Sequence, residues 1–251
     1  MNIKCFPFRN EEFGNRKYLF CFHHAGGSAA CYRSWMGMVK NVEVIPYELP
    51  GNGARLDEKF CFQIRNVVNE ATQEIVNIAH DKEIYLFGHS MGAVIAFLGC
   101  SLLEHRYEIY PKLLIVAGRH APQDILDEPF RTEMGMEKLE KEMRRLGGTP
   151  EEVFECDDVK NFFLTKVMNA YRLNESFKYD GEKVKAPIVA HYGTLDTDAT
   201  KEMTKEWQNV TTGVFSMKEF GGGHFFPIDL EEEYFKEIIS LTTNASEVFA
   251  Y

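Results

Sequence analysis

At 251 residues the chain is long enough to bury one sizeable core and short for two full domains. Hydrophobic residues at 45% and charged residues at 26% mark a globular protein rather than a disordered, fibrous or membrane-spanning one. A formal net charge of -10 argues against a nucleic-acid partner, because phosphate binding is driven by clustered Lys and Arg.

The opening residues MNIKCFPFRNEEFGNRK carry no continuous apolar run behind a basic end, so no leader is read there, no membrane partner is expected, and cytoplasmic residence is the expectation. Strand-like runs rich in β-branched and aromatic residues follow at Lys17 to Phe22 and Val42 to Pro46. Phe62 to Ala79 reads as an amphipathic helix, Glu83 to Phe87 as a strand, and Met91 to Leu103 as a helix apolar enough to lie against a sheet. Further strands are expected at Lys112 to Ala117, Pro187 to Tyr192 and Gly213 to Phe220, with a closing helix over Glu231 to Leu241. This alternation predicts a mostly parallel sheet with flanking helices.

From about 127 to 179 the rhythm breaks, giving helical segments without a strand: a helical cap inserted into a single domain spanning 1–251. Gly147 and Gly148 can end one cap helix in a left-handed turn. Thr149, Pro150 and Glu152 then offer an N-cap, a first-turn proline and a capping-box acid for the next. Cys5, Cys21, Cys31, Cys61, Cys100 and Cys156 are scattered without metal-ligand spacing, so buried reduced thiols are expected, with no metal and no disulfide framework.

Residues 84 to 97 read IYLFGHSMGAVIAF, placing Gly88-His89-Ser90-Met91-Gly92 between an apolar strand and an apolar helix. This is G-x-S-x-G in the context it requires, the nucleophile elbow of the α/β-hydrolase fold. The turn is so tight that side chains two before and two after the serine would strike backbone, and it sets Ser90 at a helix N-terminus, where the Met91 N–H can face a negative oxygen. In this fold the acid and then the base follow the serine along the chain. Of the eight histidines only His191 and His224 come late enough, and His191 lies inside an apolar strand. His224, in GGGHFF, is therefore the expected base. The loop after Pro187 to Tyr192 offers Asp196 as the acid, with Asp198 its rival and otherwise an N-cap for a helix starting near Ala199. A second oxyanion donor is assigned to the Ala25 N–H in FHHAGGS, whose glycines let backbone approach a substrate. The adjacent His23 and His24 face opposite ways and have no third partner for a metal.

The segments CFHHAGGSA, ELPGNGARL, LFGHSMGA, RRLGGTPEE and GGHFF resemble the type II thioesterases associated with nonribosomal peptide and polyketide synthases, over nearly the whole chain. The resemblance implies hydrolysis of misprimed or stalled acyl groups from the phosphopantetheine arm of acyl- or peptidyl-carrier proteins in antibiotic biosynthesis, with no cofactor. His24 and Asn52 depart from the family's usual residues and bear on substrate preference only. Arg55 is read as a salt bridge pinning its loop. Met134, Met136, Phe162, Phe163 and Met168 are read as cap core before acyl-pocket lining, and Lys138, Lys141, Arg144 and Arg145 as a solvated face with i,i+4 pairs. A general carboxylesterase or acyltransferase would share the serine, acid and base, whereas a non-catalytic carrier-binding module would not need them.

Overall fold

The strand-and-helix alternation builds one sheet in which every recorded pairing is parallel. The computed structural model describes residues 4–9, 17–79, 81–124 and 129–243; His80 and the expected start of the insertion near 127 lie outside them. The strands are β1 (Lys17–Phe22), β2 (Val42–Pro46), β3 (Glu83–His89), β4 (Leu113–Ala117), β5 (Ile188–Gly193) and β6 (Phe215–Phe220), in the order β2-β1-β3-β4-β5-β6. The chain runs outward one way from β1 to β2 and then the other way from β3, so the order reverses between β1 and β3. Such a switch point opens a crevice at the carboxyl ends of the strands, where open parallel sheets place their ligands.

Alternate residues of each strand enter opposite cores. Phe20, Phe22, Leu86, Leu114 and Val116 pack with helices α1 (Ile64–Ile78) and α2 (Met91–Tyr107). Leu19, Cys21, Phe87, Leu113 and Ile115 pack with Trp35 and with Tyr234, Phe235 and Ile238 of α8 (Glu231–Thr243). Helix α1 buries Ile64, Val67, Val68, Ala71, Ile75 and Ile78, the three-and-four spacing that predicted it. Its first N–H, an orphan in any helix, donates to Ser176 Oγ at 2.9 Å. Arg55 is buried and binds Glu58, Glu70 and the Glu48 carbonyl, pinning its loop as expected.

Between β4 and β5, among the described residues, the chain forms no strand but a 3-10 turn at Thr132–Met134 and helices α3 (Met136–Leu146), α4 (Glu152–Glu155) and α5 (Asp157–Glu175). Phe130, Leu139, Met143, Phe154, Leu164, Val167 and Met168 give this layer its own small core. Gly147 and Gly148, at φ 77 and 72, end α3 as the sequence predicted. The expected Thr149 cap does not form: α4 is a single turn beginning at Glu152, and its cap position, Glu151, makes no side-chain cap hydrogen bond. The helix starts two residues later than the box requires, so Glu152 is its first residue rather than the third, where a capping box needs its acid. The other short helices are α6 (Lys201–Lys205) and α7 (Phe226–Asp229).

Candidate active site

The parallel register sets the carboxyl ends of the central strands level, with Gly88 opposite both Phe22 and Val116, and Ala117 opposite both His89 and His191. The loops after β1, β3, β5 and β6 therefore meet. Ser90 stands between β3 and α2 at φ 56 and ψ -117, a left-handed-side conformation that costs an L-residue on the order of 1–3 kcal/mol. A Cβ on Gly88 would lie 2.2 Å from the Gly92 carbonyl oxygen, and one on Gly92 2.0 Å from that of Phe22. The two flanking glycines are thus a steric requirement of the turn.

His224 comes from the loop between β6 and α7. Its Nε2 lies 2.9 Å from Ser90 Oγ and its Nδ1 3.0 Å from Asp196 Oδ2. A carboxylate only accepts, so Nδ1 carries the proton and the Nε2 lone pair faces the serine hydroxyl. Asp196 Oδ1 accepts the backbone N–H groups of Asp198 and Ala199 at 2.9 and 3.3 Å. Burial works against ionisation of Asp196, but the hydrogen bond and charge of His224 and the Asp198 N–H outweigh it, and its carboxyl lies below the ordinary aspartate range. Of the two candidate acids, the structure brings Asp196 to the imidazole. Asp198 is not a helix cap either: α6 starts at Lys201, with the Thr200 hydroxyl accepting the Met203 N–H. The Asp198 carboxylate binds Arg145 instead.

The cavity above Ser90 is about 50 Å³ and is lined by Ala25 and Met91 together with His224, Phe130, Leu146 and Tyr171. Met91 opens α2, so its N–H has no intrahelical acceptor and points at the helix's positive end. The glycines beside Ala25 also answer a steric need of the fold itself. A Cβ on Gly26, at φ +84, would sit 2.7 Å from Val167 Cγ2, and one on Gly27 3.0 Å from the His24 ring. Both glycines make room for α5 and for the loop's own histidines.

His89, the unassigned residue of the elbow, is the site residue that sequence reasoning missed. Its Nε2 donates to the His224 carbonyl at 2.8 Å, tying the strand that leads to Ser90 to the loop that carries His224. Burial, then the proximity of His224, push its imidazole down to about 3, so it stays neutral. The available signal was a polar residue ending a buried strand, which needs a buried partner. His23 is likewise lowered to about 4 by burial and bonds the His24 carbonyl at 2.8 Å. His24 turns the other way and packs on His89 and Phe225. His191 is a core residue, 2.9 Å from the Tyr234 hydroxyl.

Of the five apolar cap residues named from the sequence, Met168 and Phe163 join the cap core, whereas Met134, Met136 and Phe162 are exposed; none lines the serine cavity. Lys141 with Glu137 and Arg144 with Glu140 form the expected i,i+4 pairs. Arg145 breaks from that solvated face to reach the loop after β5.

The sequence profile of the thioesterase domain family matches residues 17–243. Linear gramicidin dehydrogenase LgrE of Brevibacillus parabrevis is 31% identical over 232 residues, covering 89% of this chain and 86% of the relative. Gramicidin S biosynthesis protein GrsT of Aneurinibacillus migulanus is 31% identical over 228 residues, covering 89% and 88%. Among solved structures, BorB, a type II thioesterase from the borrelidin biosynthetic cluster, superposes with a TM-score of 0.82 at 29% identity, covering 91% of this chain and 94% of that one. The name of the first relative speaks of a dehydrogenase; here the turn after β1 reads HHAGGS and lacks the G-x-G-x-x-G spacing of a dinucleotide cradle.

Proposed function

The chain belongs to the thioesterase domain family and is a hydrolase acting on thioesters, and from that premise we propose that it removes acyl groups from the phosphopantetheine arm of carrier proteins through an acyl-enzyme on Ser90. The observation that carries this reading is the unbroken relay from Ser90 Oγ through His224 to Asp196, roofed by α3 and α5.

In the proposed cycle Ser90 Oγ attacks the thioester carbonyl carbon while its proton passes to His224 Nε2. The carbonyl oxygen gains a negative charge and lies against the Ala25 and Met91 N–H groups. Collapse breaks the C–S bond, and the departing sulfur takes the proton from His224 to leave as the pantetheine thiol. Water then attacks the acyl-enzyme as His224 accepts its proton, freeing the carboxylic acid and restoring the serine hydroxyl. Asp196 orients the imidazole and stabilises its charged form in both halves.

A cavity of about 50 Å³ holds roughly three or four waters, far less than the ~300 Å³ or more that a ligand site occupies. The helical layer over Ser90 acts in this reading as a cap that yields to admit substrate. Beside it lies a cleft of about 420 Å³ that shares Arg119, His120 and Asn174 with the serine cavity and carries Arg131 and Lys178 together with Asp124 and Glu175, leaving cations in excess by one. An extended arm ending in a phosphodiester suits such a cleft in both shape and charge. No helix among the described residues is long and apolar enough to cross a membrane; the enzyme is proposed to work in the cytoplasm beside its synthase.

The test is release of acyl groups from acylated carrier protein by the wild type and by Ser90→Ala, with a simple oxygen ester in parallel. Carrier-bound thioesters should be cleaved, oxygen esters turned over weakly, and the variant should lose about 10⁴-fold or more. Carrier thioesters that survive while small esters are cleaved would reject the carrier-protein reading.

A further inference from the structure

We propose that Arg145, on the cap helix α3, is a positioning residue for the reaction, acting through Asp198 on the acid Asp196; the inference rests on the Ser90, His224 and Asp196 relay proposed above.

The sequence segment RRLGGTPEE contains two arginines with different environments. Arg144 faces outward and pairs with Glu140 and Glu151 of its own layer. Arg145, 37% exposed at its side chain, turns its guanidinium across the gap between layers. Its Nη2 donates to Asp198 Oδ2 at 2.7 Å and its Nη1 to Thr197 Oγ1 at 3.0 Å. From the same fork, Nε and Nη2 donate to both carboxylate oxygens of Glu142 at 2.8 and 2.7 Å. Three of the residues in this network, Glu142, Thr197 and Asp198, are thereby fixed by one planar group, a geometry that an ammonium ion does not reproduce.

Asp198 transmits the contact. While its carboxylate holds Arg145, its backbone N–H donates to Asp196 Oδ1, the oxygen that His224 does not use. The buried His120 ring also hydrogen-bonds the Asp198 backbone. The path from the cap to the chemistry is therefore Arg145, Asp198, Asp196, His224, Ser90, and each step has a hydrogen bond of 3.0 Å or less. Charge adds to geometry. Glu142 and Asp198 both line the cavity in which the oxyanion develops, and the Arg145 guanidinium sits between them. Without it, Glu142 and Asp198 would lose the guanidinium that bonds both, and each would oppose the negative charge of the transition state. A closed cap thus gives an aligned acid and a neutralised cavity wall; an open one withdraws both.

The experiment measures kcat and KM with a short acyl N-acetylcysteamine thioester, together with Tm, for Arg145→Ala, Arg145→Lys, Asp198→Asn, the Arg145→Ala/Asp198→Asn double variant, and Arg144→Ala as control. Positioning predicts that Arg145→Ala loses about three- to tenfold in kcat with little change in KM or Tm. It also predicts that the double variant is no worse than the poorer single variant, that Arg145→Lys recovers part of the loss, and that Arg144→Ala matches wild type. Wild-type kcat in Arg145→Ala, a loss confined to KM or Tm, or additive losses in the double variant would each overturn the proposal. If Ser90→Ala in the same assay keeps wild-type turnover, it is the underlying relay that fails rather than the role of Arg145.

Discussion

The sheet-borne half of the molecule and the helical layer over it are held by different forces. Around Ser90, position is set by backbone: parallel register, a strained φ, and glycines whose replacement would drive atoms to 2.0 and 2.2 Å. In the layer spanning 129–175, a small apolar core is joined by exposed ion pairs such as Lys141 with Glu137 and Lys160 with Asp157, contacts that contribute little individually. In the proposed cycle the chemistry sits on the part held by backbone, and admission of substrate falls to the more weakly joined layer.

The response to acid separates the halves most strongly. His23, His89, His120 and His191 all belong to the sheet-borne half, and burial pushes them down to about 4, 3, 3 and 3, whereas residues 129–175 contain no histidine. Unfolded imidazoles titrate near 6.5, so below that pH the unfolded chain binds more protons and stability falls as pH falls. Between pH 7.5 and 5 the loss is about 2 kcal/mol for each histidine. Urea midpoints at pH 7.5 and 5 should differ accordingly, and His191→Gln should flatten the slope; a midpoint that stays level would break the comparison.

Glycine substitutions sharpen it next. Gly92→Ala should cost about 4 kcal/mol or more, since the colliding atom is the Phe22 carbonyl oxygen, and little folded enzyme should remain. Gly147→Ala, with nothing within 4 Å, meets only its φ of 77 and should cost about 1–2 kcal/mol. Equal costs in denaturant titrations would show that the elbow has more slack than its contacts imply. Ser90→Gly should remove turnover yet raise Tm by about 2–4 °C, because glycine accepts a φ of 56 without strain. The smallest effect is expected from Lys141→Ala on the cap surface, whose Tm should stay within about a degree of wild type.

Much of the sheet-borne half was legible because its constraints are local. The runs Lys17 to Phe22 and Val42 to Pro46 are strands to the residue, α1 follows its apolar spacing, and the elbow is written in five consecutive residues. The cap was less so. Its helices were visible as periodicity, but the Thr149 cap failed where α4 starts two residues later, and the exposed Met134, Met136 and Phe162 could not be told from core residues. Nothing in the sequence identified Phe130, Leu146 and Tyr171 as the apolar wall over the serine, because that depends on how α3 and α5 lie on the sheet.

By itself the sequence determined the strand order along the chain, the serine of the elbow as candidate nucleophile, the late histidine beside it and the family, since each is a matter of spacing, steric need or motif over neighbouring residues. Only the tertiary structure decided between Asp196 and Asp198, gave His89 its partner 135 positions away, and turned Arg145 inward while Arg144 faces out. These choices depend on a hydrogen bond of about 3 Å between groups distant in sequence, and that length is fixed when the sheet and the helical layer pack.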